Sequence, residues 1–277
     1  MAIINGYTTL QSVKDLLKIT ATDTTDDAVI EDMIGQVSRY IDAEAGRKFY
    51  PRIETRYYNV PRDRRQLTLD DDLLVLTSVT NGDGDAVVAA DYTILPANAY
   101  PKFAIRLTDT TSEYWDVDSN SNSEQVIDVL GWWGFRQDYG TRAWITGSTL
   151  NEGAGLNATD LTFTVTSGTL FKAGQIIKIE NEIMMISSVS THDITVPMRG
   201  DNGSTAATHA NATPVYIWAV EPQIEQACRM IVKNFYHNRF GQNTSAVATI
   251  TAAGVVLAPE DIPASAIKIM QSFRRVF

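Results

Sequence analysis

The residues best spaced for chemistry lie in the run Asp116-Val117-Asp118-Ser119-Asn120-Ser121-Asn122-Ser123-Glu124. Carboxylates and amides at alternate positions let one loop wrap Ca²⁺ with oxygen ligands. Two positions depart from that pattern. Ser121 stands sixth, where glycine makes the sharp turn, and Ile127 stands twelfth, where a glutamate closes the site. A solvated polar loop explains the same letters and is the stronger reading. Asp70-Asp71-Asp72 is open in a similar way, to a metal cluster, a turn, or a negative lining that faces something that must not stick. The last two fit better. Arg199-Gly200-Asp201 spells an adhesion tripeptide, but three residues match often by chance. In the wider string to His209, the glycines read as turn positions and Arg199 and His209 as makers of internal loop bonds.

Nucleophilic chemistry has little to use. No G-x-S-x-G elbow, H-E-x-x-H pair or phosphate-binding P-loop is present. Cys228 falls on the apolar face of a predicted helix, as a small buried hydrophobe would. His237 stands near the end of that helix as a cap-region residue, and His192 and His209 are too far apart in sequence to suggest a site. The short basic clusters Arg47-Lys48, Arg62/Arg64/Arg65 and Arg274-Arg275 all have acidic neighbours in the sequence or are too short to bind phosphate strongly. The expectation is a protein that is not an enzyme and holds no cofactor and no metal.

Composition narrows the class further. The 277 residues carry 23 Lys+Arg against 33 Asp+Glu, a net charge of -10, with 44% hydrophobic residues and one cysteine. That excludes disorder and a disulfide-stapled scaffold, and it makes general nucleic-acid affinity poor, because phosphate binding needs neutralising cations. The first ten residues lack the basic and apolar regions of a signal peptide. The uncharged run Gly241–Pro259 has too short an apolar part to span a bilayer, so no membrane partner is expected and synthesis is placed in a reducing cytoplasm. The balance is uneven, with residues 222–277 holding six basic and three acidic groups on an otherwise acidic chain.

Periodicity supplies the elements that must position these residues. Apolar spacing predicts helices at about 10–18, 26–45, 222–240 and 263–276, with Gly46 and Pro222 as stop and start signals. Alternation predicts strands at Ile53–Val60, Leu73–Val79, Tyr92–Leu95, Phe103–Leu107 and Gln125–Leu130, with a hairpin turn over Asn81–Asp85. Residues 146–218 turn to Thr, Gly, Ser and Asn with clear alternation, and 246–258 fit a second hairpin. The predicted class is α+β. An α-helical core from 1–52 and 219–277 is interrupted by a β subdomain at 53–145 and an all-β module at 146–218.

Two stretches resemble a known family. Leu16-Leu17, Asp27, Ile30, Ile34, Tyr40-Ile41-Asp42 and Gly46-Arg47-Lys48-Phe49 look like the opening of head–tail adaptor (connector) proteins of long-tailed bacteriophages. The helix begun at Pro222, the following hairpin, Pro259-Glu260-Asp261-Ile262-Pro263 and Phe273-Arg274-Arg275 are similar to the family's C-terminal end. Together they cover about half the chain. The pattern Phe171, Gly174 to Glu182, Val196, Arg199-Gly200, Gly203, Ala207, His209 and Pro214-Val215-Tyr216 is similar to a small β module of phage structural proteins. That module and the long 53–135 region are not standard parts of the smallest adaptors. The resemblance implies a virion protein at the head–tail junction, a ring of about twelve copies that passes DNA through its lumen as cargo. Its partners would be the portal protein and a tail-side neck or tail-terminator protein. Portal docking would fall to Ile267, Met270, Phe273, Arg274, Arg275 and Phe277, and the acidic lumen to Asp70, Asp71 and Asp72. The alternative is a carbohydrate- or Ca²⁺-binding surface protein of the neck or tail, using Trp115, Trp132, Trp133 and the Asp116–Glu124 loop.

Overall fold

The computed structural model describes residues 3–240, 249–250, 256–257 and 262–275. The chain divides into two units: Met1–Gly46 with Ile145–Asp201 and Thr205–Phe277, and Arg47–Trp144 with Asn202–Ser204. The class is α+β, with antiparallel sheets throughout the two units.

The first unit gathers the helices from both ends of the chain. Helix α1 (Leu10–Leu17) starts where the Thr9 hydroxyl accepts the Ser12 N–H, and α2 (Asp27–Ala45) stops at Gly46, whose φ of 62° suits a residue without Cβ. The α2 stripe Ile30, Ile34, Val37 and Ile41 is buried, as periodicity requires. Helix α4 (Pro222–Arg239) lays Ile224, Cys228, Ile231 and Val232 against it, with Ser38 Oγ 3.8 Å from Cys228 Sγ. Each buried Ile or Val contributes about 1.5–3 kcal/mol. Helix α5 (Ala264–Ser272) closes the bundle against α2 and α4, and the Arg275 N–H donates to the Ala45 carbonyl at 2.9 Å. This last helix ends short of the predicted 276. Of the predicted 246–258 hairpin, Thr249–Ile250 pair antiparallel with Val256–Leu257, and the rest lies outside the described residues.

The β module of the same unit has two small sheets around one apolar cluster. Strands β9 (Ile176–Ile179) and β10 (Glu182–Met185) form a hairpin, β13 (Pro214–Trp218) pairs the other side of β9, and β7 (Trp144–Thr149) lies at the edge. Strands β8 (Thr162–Thr164), β11 (Ser188–Ser190) and β12 (Asp193–Thr195) make the second sheet. Phe163, Phe171, Ile177, Ile179, Met184, Ile194 and Val215 fill the space between them.

The second unit is a six-stranded antiparallel sheet in the order β1 (Arg52–Tyr58), β6 (Ile127–Trp133), β2 (Gln66–Asn81), β5 (Lys102–Leu107), β4 (Tyr92–Leu95), with β3 (Asp85–Ala86) on β2 and one short helix, α3 (Tyr139–Arg142), after β6. Strand β2 is far longer than the predicted Leu73–Val79. Its first part pairs β5 (Leu67↔Ile105) and its second part pairs β6 (Val79↔Val129), with the register shifting between Thr68 and Leu73. Gly131 makes this crossing possible, because a Cβ there would come within 2.6 Å of the Val75 carbonyl and of Leu73. Leu67, Leu73, Val79, Ile105, Trp115, Val129 and Trp133 form the core. No helix among the described residues is long and apolar enough to cross a membrane.

Candidate functional site

Asp70, Asp71 and Asp72 fall at the register shift of β2, and arginines from the start of the unit and from β1 meet them. Arg47 Nη1 donates to both oxygens of Asp72 at 2.9 Å, and the Asp72 side chain is 3% exposed. Asp71 takes Arg52 and Arg56 together, and Asp70 takes Arg56 at 2.8 Å and the Tyr58 hydroxyl at 2.6 Å. Burial works against the Arg56 charge, but Asp71, Asp70 and Glu54 outweigh it and raise its pKa above the ordinary value. Burial also resists charge on Asp70, yet donation from Tyr58 and Arg56 holds its carboxyl below the usual range. Burial first and Asp70 second push the Tyr58 hydroxyl up. The expectation of a three-carboxylate lumen lining is corrected here. Asp72 is buried and ion-paired, and Asp71 lies largely covered between two guanidinium groups. Asp70 alone of the three is exposed.

The Asp116–Glu124 loop spends its oxygens on itself. Asp118 Oδ1 accepts the N–H groups of Asn120 and Asn122 at 2.9 and 2.8 Å, Asn122 Oδ1 accepts that of Glu124, and Asp116 pairs with Arg64. Ser121, where a glycine was wanted, takes a positive φ of 64°. Among the described residues no group of three or more His, Cys, Asp or Glu is placed to hold a metal ion. The aromatic side of the surface-protein alternative fails on burial: Trp115 and Trp133 are fully buried and Trp132 is 8% exposed.

The densest polar cluster is one that sequence reasoning had only half located. Glu182, at the start of β10, has a fully buried side chain. Its Oε1 accepts from Arg199 Nε at 2.7 Å and Gly200 N at 3.0 Å. Its Oε2 accepts from Arg199 Nη2 at 2.8 Å, Ala207 N at 3.0 Å and His209 Nε2 at 2.8 Å. Burial alone would raise the Glu182 pKa, and these donors reverse it to below the ordinary value. Arg199 also donates to the carbonyls of Asn157, Asp160 and Ala207, and His209 Nδ1 lies 2.7 Å from Glu180 Oε2. Five donors exceed the roughly four lone-pair sites of a carboxylate, so Glu182 has no position left for a substrate. Arg199 and His209 do make internal loop bonds, and burial of Arg199 removes the adhesion reading of its tripeptide. His192 is exposed. The available signal for Glu182 was a carboxylate directly against the apolar run Ile183–Ile186.

Cys228 is fully buried and burial pushes its thiol up to about 12, which leaves it unreactive. His237, in the last turn of α4, is pulled below the ordinary histidine value by burial and then by Lys233. Of the residues expected to dock a portal, Met270 and Phe273 are buried in the helical bundle, Ile267 and Arg275 are half-buried, and Arg274 is exposed. Phe277 lies outside the described residues. The apolar stripe of α5 therefore serves the core of its own unit, and this corrects the expectation that it faces a partner.

Comparison with models of known protein families and with curated protein sequences gave no match.

Proposed function

We propose that this chain is a structural connector of a phage virion, a ring that joins portal to tail and lets DNA pass. The observation that carries the reading is the bundle itself. Helices α1 and α2 from one end of the chain and α4 and α5 from the other share one buried stripe system, tied by the Arg275–Ala45 hydrogen bond. The two stretches that resemble adaptor proteins are these same helices. Asp72, Glu182, Arg199 and Cys228 are buried, and the oxygens of the exposed Asp116–Glu124 loop bond within the chain, as suits a scaffold. A net charge of -10 suits a wall that DNA slides past, since like charge keeps phosphate from adhering. Portal docking passes in this reading from the buried α5 stripe to exposed groups such as Lys268 and Arg274.

Light scattering and negative-stain imaging of the purified full-length chain test the proposal, alone and with the portal protein of the same phage. A closed ring with a central opening that joins the portal is expected. A chain that stays monomeric and never binds portal would sink the idea.

A further inference from the structure

The outward faces of α2 and α4 are the least explained surfaces of the helical unit. Outward, α2 exposes Ala28, Asp32, Gln36 and Ala43, with Gly35 half-buried among them. A Cβ built on Gly35 would meet nothing within 4 Å. A mid-helix glycine costs about 1 kcal/mol relative to alanine, and no contact within the chain calls for one here. Arg39 on the same face is already held by Asp42 and lies over the Tyr7 ring. Helix α4 presents Arg229, Met230 and Lys233, all half-buried; among the described residues neither cation has an ion pair within 4 Å, and the acid that Arg229 feels is Glu225, one turn earlier on its own helix.

The charges of the two sides are opposed. Of the acids in residues 1–46, Asp27 and Asp42 are paired with Lys14 and Arg39 and Asp26 accepts from Tyr236, so the strip over Gly35 carries Asp32, whereas 222–240 and 262–275 together hold one acidic and six basic groups. We propose that these are the two halves of a head-to-tail interface between copies of this chain. The α4 ridge of one copy lies along the strip over Gly35 of the next, where Arg229 and Lys233 face Asp32. Glycine at the crossing lets the helix axes approach to the short end of the usual 8–10 Å. A second copy is the favoured occupant because the acid that the α4 cations need is supplied by the chain itself, while its net charge disfavours a polyanion. Two different faces in contact make a heterologous interface, which closes into a ring when the rotation allows. Ring closure rests on the connector reading; the pairing of the faces does not.

The test is sedimentation and light scattering of the full-length chain. Wild type is expected to assemble, and less so as salt rises, because exposed charge pairs are screened. Gly35→Leu, with open space around it and good helix propensity, should keep or raise the melting temperature yet weaken self-association at least tenfold. Asp32→Lys alone and Arg229→Glu with Lys233→Glu should each do the same, and the three together should restore assembly. Variants that assemble as wild type does, or a combination that fails to restore assembly, would overturn the interface while leaving the connector reading standing. A wild type that is monomeric at every concentration would overturn both.

Discussion

Glu182 can carry its charge in a closed interior only because Arg199, His209 and two backbone amides surround it. Removing one partner of such a buried pair costs about 3–5 kcal/mol, since the other charge is left uncompensated. Glu182→Ala is therefore expected to lower the melting temperature strongly, with Arg199→Leu comparable and the double variant costing less than the sum. Calorimetry of the four proteins measures this, and strict additivity would show that the two side chains do not act together. The same residue sets a pH dependence. Folded Glu182 titrates below an unfolded glutamate, so its contribution is present above the unfolded value of about 4.3 and is lost as pH falls through the lower folded one. Melting temperature followed downward from pH 6 should fall more steeply in wild type than in Glu182→Gln. Parallel curves would place the acid sensitivity elsewhere.

Strand β2 shows at the level of an element why legibility in the sequence was uneven. Helices α2 and α4 were readable nearly to the residue, because a 3.6-residue apolar period and the signals at Gly46 and Pro222 are local. The first half of β2 was not, because Asp70-Asp71-Asp72 reads as a turn until Arg47, Arg52 and Arg56 arrive from elsewhere in the chain. Glu182 was missed for the same physical reason, its partners being 17 to 27 residues away. Alternation and burial are written locally; neutralisation of a buried charge is not. The three aspartates should accordingly differ in weight. Asp72→Ala strands the Arg47 guanidinium against the Phe135 ring and is expected to cost about 3–5 kcal/mol. Asp70→Ala breaks a pair whose carboxylate is 65% exposed and should cost about 1 kcal/mol or less. Urea unfolding of both variants checks this, and equal losses would contradict it.

For the whole molecule, the decisive correction is where the C-terminal helix spends its apolar face. Had Met270 and Phe273 pointed outward, removing residues 263–277 would leave the body folded and abolish docking alone. They are buried with Ala266 in a bundle built from both ends of the chain, so the first unit is closed only when its last segment returns to its first. Truncation before Pro263 is therefore expected to lower the stability of that unit by several kcal/mol, since burial of a Met or Phe side chain contributes about 1.5–3 kcal/mol each. Lys268→Glu with Arg274→Glu changes exposed groups of the same helix. That pair should leave the melting temperature within a degree or two and shift only association with a partner, because exposed charges act on encounter more than on folding. Circular dichroism melting of the two variants side by side separates the roles. A truncated chain that melts like wild type would mean that the bundle closes without its last helix, and that α5 is free to serve as the docking element after all.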